Sequence, residues 1–188
     1  MCARGLICVG ILCLLSRPTL STSGDSPNKG LGEAAQKILA GATRVECFRI
    51  DPRTTAKADD KPAGKHIDGY PIASTAKEQG REFATKLADV LNDKKSYGPP
   101  ARCFFPGVGF RAWKDKDSVD VIICYACSNF YTVTRNAEGK EVARTQLAGF
   151  GANWAAFVQL AKDAFPDDPA IQKLNTKDSR GVDPKAGL

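Results

Sequence analysis

The stretch Phe110-Arg111-Ala112-Trp113-Lys114-Asp115-Lys116-Asp117-Ser118-Val119-Asp120-Val121-Ile122-Ile123-Cys124-Tyr125 reads as two strands around a polar turn. Aromatic and β-branched residues suit a pleated surface on both sides, and the charged run from Lys114 to Asp117 suits a solvated turn. Setting Trp113 opposite Ser118 pairs Arg111 with Asp120, Phe110 with Val121 and Ala112 with Val119. One register thus yields both an apolar face and a charged pair. A second hairpin follows, with Phe130 to Thr134 and Glu141 to Thr145 joined through Asn136 and Gly139, residues that tolerate positive φ.

Upstream, Gly98, Pro99 and Pro100 stop a helix expected from about Thr75 to Asn92. Thr75 with Glu78 forms a capping-box pattern, Phe83, Leu87, Val90 and Leu91 make the buried stripe, and Gly80 weakens the helix slightly. Thr43 to Ile50 reads as a strand and Asp51 to Lys65 as a surface loop. Ile67 to Ile72 suits a short edge strand, since Pro71 cannot donate to a ladder. A shorter helix is expected earlier, with Ser26 as N-cap, Pro27 at its first position, a stripe of Leu31, Ala34, Ala35, Ile38 and Leu39, and Gly41 as terminator. Downstream, Trp154, Phe157, Val158, Ala161 and Phe165 return to helical spacing before Pro166. The expected fold class is α+β: a single domain over residues 43–174, an antiparallel sheet of four to six strands with helices mainly on one face. Residues 24–42 form an N-terminal segment with the short helix, and residues 175–188 a polar, disordered tail.

Residues 1–23 read as a signal peptide. Arg4 precedes an apolar run from Leu6 to Leu15 that is too short to span a bilayer, and the small residues Ser21, Thr22, Ser23 and Gly24 suit signal-peptidase cleavage near Ser23. The expected location is therefore extracytoplasmic, periplasmic or secreted, with no transmembrane span in the mature form. Lipid anchoring at Cys13 is the lesser alternative, because Cys13 follows Leu12 rather than a small residue. The chain of 188 residues is 43% hydrophobic and 26% charged, ordinary for one globular domain. It holds 27 Lys and Arg against 21 Asp and Glu, and loss of Arg4 and Arg17 with the signal leaves 25 basic residues. These are interspersed with acids, as in Lys114 to Asp117, which argues against a nucleic-acid partner.

Of 7 cysteines, Cys2, Cys8 and Cys13 lie in the signal, leaving Cys47, Cys103, Cys124 and Cys127. An even number in an oxidising compartment points to disulfides before metal or catalysis. Hairpin register sets Cys103 opposite Ser128, and a one-residue bulge at Pro106, Gly107 and Gly109 moves it opposite Cys127. The expected bond is Cys103 to Cys127, with Cys103 to Cys124 as runner-up and Cys47 as a buried thiol or the partner of Cys124. Cys124 and Cys127 also match the spacing of a thiol redox or metal module. Redox pairs of this spacing sit at helix N-termini, whereas this one sits on or just after a strand. A zinc site drawing on Cys47, Cys103, Cys124 and Cys127 is the alternative metal reading, and otherwise no metal or cofactor is expected.

The run Cys103, Phe104, Phe105, Pro106, Gly107, Val108, Gly109, Phe110, Arg111, followed after the turn by Val119 to Cys127, has the form CFxPxxGxR then VDxxICxxC. It resembles an uncharacterised family of small exported or lipid-anchored bacterial proteins, over roughly residues 45 to 165. The resemblance implies the domain boundaries and no mechanism. The chain departs from the family's PRHG pattern in having Val108 in place of the histidine, and it adds Cys47.

No catalytic set is apparent. His66 is the only histidine and falls in a polar loop, without a neighbouring nucleophile. A register-fixing ion pair explains Arg111 and Asp120 at lower cost than an anion site or acid–base pair, and core packing accounts for Trp113 and Trp154. The function expected is an exported, non-enzymatic binding or envelope-associated domain whose partner is a protein or an envelope component. The alternatives are the redox or metal module on Cys124 and Cys127, and a hydrolase whose site assembles only in three dimensions.

Overall fold

The computed structural model describes residues 30–52, 65–178 and 182. In chain order the elements are α1 (Glu33–Gly41), β1 (Arg44–Ile50), β2 (His66–Ile67), β3 (Tyr70–Thr75), β4 (Gln79–Gly80), α2 (Arg81–Asn92), β5 (Val108–Lys114), β6 (Asp117–Cys124), β7 (Asn129–Arg135), β8 (Glu141–Arg144), β9 (Ala148–Gly149), α3 (Trp154–Ala164) and α4 (Pro169–Gln172). The strands form one antiparallel sheet in the order β2-β3-β1-β5-β6-β7-β8, with β4 paired to β1 and β9 paired to β7. This corrects the expected α+β sheet of four to six strands. The molecule is a single curled, nine-stranded antiparallel sheet, a half-barrel, carrying a few short helices. The excess arises largely from β2, β4 and β9, each two residues long and too short to show a period of two.

The β5–β6 ladder holds Arg111 opposite Asp120, Phe110 opposite Val121 and Trp113 opposite Ser118, without a bulge from Val108–Ile123 to Lys114–Asp117. Alternation sorts its side chains to two faces. On one face Val45, Cys47, Phe110, Val121 and Phe130 pack with Leu39, Phe83, Leu87 and Phe157 of α1, α2 and α3 in the main core. On the other, Phe48, Ile50, Ile67 and Ile122 form a second cluster, flanked by Phe104 and Tyr131. β6 is therefore buried on both sides, which explains its nearly continuous apolar run.

The second cluster exists because the β2–β3 hairpin folds over the sheet. Ile67 to Ile72, expected as one strand, is split by a turn at Asp68 and Gly69, whose φ values of 48° and 83° allow a two-residue hairpin connection. Gly109 makes room beneath it: a Cβ there would lie 2.9 Å from Cδ1 of Ile67 and 3.1 Å from Cδ1 of Ile50.

The helix expected from Thr75 begins instead at Arg81, with Gly80 at its N-cap. Thr75 is the last residue of β3 and Ala76 donates its N–H to the Cys47 carbonyl, while Glu78 accepts from Arg44 on β1 at 3.1 Å. The sheet edge thus claims the residues that formed the capping pattern. The first helix starts at Glu33, and the expected Ser26 and Pro27 start lies outside the described residues, as do the signal segment and most of the Asp51 to Lys65 loop. Part of the expected tail is anchored: the Asn175 carbonyl accepts from Trp154 Nε1 at 2.7 Å, and Val182 packs on the main core.

Candidate functional site

At one end of the half-barrel the turns of three hairpins converge, Asp68–Gly69, Asp115–Lys116 and Asn136–Gly139, around a groove of about 560 Å³. Its lining includes His66, Arg111, Trp113, Lys116, Arg135 and Glu138. β-Barrel mouths are a common place for ligands, because rigid strands position side chains there while turns leave the space open.

Three of the lining side chains, Asp68, Arg111 and Arg135, belong to an alternating chain of charges that also takes in Asp120 and Arg144. Arg111 grips Asp120 through two hydrogen bonds, Nε to Oδ1 at 2.5 Å and Nη2 to Oδ2 at 3.0 Å. Arg135 donates to the same carboxylate at 3.3 Å and to Asp68 at 3.0 Å. Arg144 donates to both oxygens of Asp68, at 2.8 and 2.9 Å, and also to Glu141. Tyr131 donates its hydroxyl to Asp68 at 2.7 Å. Asp120 is fully buried between two guanidiniums, a placement tolerated only because both its oxygens are bonded.

These contacts set the local acidities. Burial alone would raise Asp68, but hydrogen bonds from Arg144 and Tyr131 and the charges of Arg144 and Arg135 hold its carboxyl below the ordinary value. Burial likewise opposes the charge of Arg111, and the bonds to Asp120 outweigh it and raise its guanidinium. The Tyr131 phenol is pushed upward by burial and by donating its hydrogen bond to the Asp68 carboxylate. Trp113 stands at the rim, its Nε1 donating to Glu46 at 2.8 Å and its ring lying under the guanidinium of Arg44 at 4.7 Å. It is half-buried at the groove, in contrast to Trp154, which is core. His66, expected in a surface loop, opens β2 and lines the groove.

Three of the cysteines, Cys103, Cys124 and Cys127, gather elsewhere, at the opposite end of the β5–β6 ladder. Cys103 and Cys127 form a disulfide with Cα atoms 6.0 Å apart. The bulge offered as its cause is not there: Cys103 lies in the irregular segment before β5, and Cys127 in the turn between β6 and β7. Cys124 ends β6 as a buried free thiol, and Cys47 is a second one inside the main core. The Cys47 thiol is pushed up to about 12 by burial and by Glu46 and Glu78. With two cysteines bonded to each other and Cys47 and Cys124 on opposite faces of the sheet, the four do not assemble as a zinc set. Among the described residues no group of three or more His, Cys, Asp or Glu is placed to hold a metal ion, and no helix is long and apolar enough to cross a membrane.

A further groove of about 610 Å³ lies between β3 and the α3–α4 connection, over the Arg49 and Asp168 ion pair at 3.2 Å. Comparison with protein-family models, curated proteins and solved structures finds no match to this chain.

The polar groove was not visible in the sequence. Asp68 is separated from Arg135 by 67 positions and from Arg144 by 76, so no local pattern joins them. The Asp68–Gly69 dipeptide, a hairpin signal in its own right, was the one available clue.

Proposed function

We propose that this protein is an exported, non-enzymatic binding domain that holds a polar ligand, presented by a protein or an envelope component, at the mouth of its half-barrel. One observation carries the reading: Arg111, Arg135 and Asp68, which line the groove, are locked in place by one another, by the buried Asp120 and by Arg144. Donors and acceptors fixed in this way need little reordering when a ligand arrives, which is the property that favours binding. The same locking disfavours acid–base catalysis, which needs a group free to exchange its proton near neutral pH.

Export rests on the N-terminal segment. The disulfide suits an oxidising compartment, and the motif resemblance to small exported or lipid-anchored proteins agrees, since its residues include Cys103, Arg111, Asp120 and Cys127.

The test is an NMR titration of isotope-labelled mature protein with separate panels of neutral sugars, uronic acids, amino acids and short peptides. Saturable shifts at Gly69, Lys116 and Gly139 with one class support the reading. Shifts confined to other surfaces, or turnover of ester or amide substrates that His66→Ala abolishes, overturn it in favour of a different site or the hydrolase.

A further inference from the structure

The Cys103–Cys127 disulfide has a third cysteine beside it. Cys124 Sγ accepts the backbone N–H of Cys127 at 3.3 Å and that of Phe105 at 3.4 Å. It therefore lies between the two pieces of chain that the disulfide joins. Accessibility differs among the three: Cys103 is exposed, whereas Cys124 and Cys127 are buried. An incoming thiol meets the bond at Cys103.

The segment carrying Cys103 is also held without the disulfide. Asn129, the cross-strand partner of Cys124, donates to the carbonyls of Ala101 and Cys103, both at 2.9 Å, and accepts the N–H of Ala101 at 3.0 Å. Opening the S–S bond leaves these three bonds in place, so Cys103 stays near both partners.

From this arrangement we propose that Cys103, Cys124 and Cys127 form a thiol–disulfide exchange centre, in which Cys103 pairs with Cys127 or with Cys124 and the co-reactant is an external thiol. The external thiolate attacks Cys103 Sγ, the Cys103–Cys127 bond breaks, and its electron pair leaves on the Cys127 sulfur, which takes up a proton. Cys124 gives its proton up to solvent, and its thiolate attacks Cys103 Sγ and expels the external thiolate, forming Cys103–Cys124. The external thiol is regenerated, and no net oxidation or reduction occurs. Burial raises the Cys124 thiol above its ordinary value and the backbone N–H groups aimed at it offset this only in part, so its thiolate forms, and exchange accelerates, as pH rises. The inference does not depend on the groove at the other end of the ladder.

The experiment treats native protein with 2-mercaptoethanol, quenches with acid, alkylates free thiols and maps disulfides after trypsin and chymotrypsin. Chymotryptic cleavage after Tyr125 separates Cys124 from Cys127. The expected result is a Cys103–Cys124 population that grows with pH, with Cys127 alkylated in the same molecules. In Cys124→Ser the mixed disulfide at Cys103 accumulates instead, and folded Cys127→Ala isolates with a Cys103–Cys124 bond. Cys103–Cys127 as the sole intramolecular bond at every pH overturns the proposal, as does folded Cys127→Ala with both remaining thiols alkylated. Where Cys127→Ala does not fold, the wild-type exchange decides alone.

Discussion

Asp68, in the turn of the β2–β3 hairpin, accepts two hydrogen bonds from Arg144 on β8, at 2.8 and 2.9 Å, joining elements from opposite ends of the strand order. A flat sheet cannot make this contact, because seven strands at about 4.8 Å spacing separate its edges by nearly 30 Å. The curl of the sheet and the fold-over of the hairpin bring the edges together, and the Asp68 carboxylate, bonded also by Tyr131 and Arg135, fastens them.

Replacing Asp68 by Asn should therefore destabilise the protein by about 2 kcal/mol at neutral pH, since two guanidiniums lose their shared anion. The sign with pH follows from the lowered carboxyl: its contribution is present above the unfolded value near 4 and is lost as pH falls through the lower folded value. Urea unfolding of wild type and Asp68→Asn should give curves whose separation shrinks below about pH 4. A separation unchanged down to pH 2 would show that the charge is not what fastens the hairpin.

Asp120 is the second joint. Its carboxylate is wholly buried between Arg111 and Arg135, so Asp120→Asn should cost about 3 kcal/mol, several times the effect of a typical surface change. A double-mutant cycle with Arg111→Ala should return a coupling of about 1–3 kcal/mol. A coupling near zero would reduce the pair to a marker of register.

What was legible in the sequence followed the range of the interaction. The β5–β6 register could be read because Arg111, Asp120 and their apolar neighbours lie within one hairpin and fix each other's faces. α3 was legible because Trp154, Phe157, Val158 and Ala161 bury one stripe. The strand count failed where elements are two residues long, and the helix start failed where Thr75 and Glu78 matched a local rule that tertiary pairing with β1 overrode. The groove depends on Asp68 meeting Arg135 and Arg144, which is a property of sheet curvature.

Glycines at the β9 crossing should show a sharp positional contrast. Gly149 exchanges two backbone hydrogen bonds with Gly98, at 2.7 and 2.9 Å, and a Cβ on Gly149 would stand 2.2 Å from the Pro99 carbonyl oxygen. Backbone cannot retreat as a flexible side chain can, so Gly149→Ala should cost about 2 kcal/mol or more. Gly151 has nothing within 4 Å of its Cβ position, and Gly151→Ala should be neutral or stabilising by about 0.5 kcal/mol. Thermal unfolding of the two variants side by side tests the contrast, and equal effects would refute it.

The Cys103–Cys127 disulfide can stabilise the fold through the unfolded chain or through the native state. Its ends are 24 positions apart, and closing a loop of that size should contribute about 3 kcal/mol by restricting the unfolded chain. Cys103→Ala with Cys127→Ala should therefore lower stability by about that amount. Asn129 acts on the folded side instead: its side chain is buried and satisfies three backbone groups of Ala101 and Cys103, so Asn129→Ala should cost about 2 kcal/mol. The two clamps hold the same segment through different states of the chain. If the disulfide works through the unfolded ensemble, the losses should add to within about 0.5 kcal/mol in the triple variant. If it works by pressing the segment from Ala101 to Phe105 against the β6–β7 turn, removing one clamp already frees part of what the other holds, and the loss in the triple variant should fall short of the sum by more than 1 kcal/mol, roughly the scale of coupling between neighbours. Chemical unfolding of the disulfide-free, Asn129→Ala and combined variants distinguishes the two. Additivity is expected because Asn129 supplies three hydrogen bonds to the segment that do not depend on the disulfide, and a large shortfall would move the disulfide's contribution into the native state.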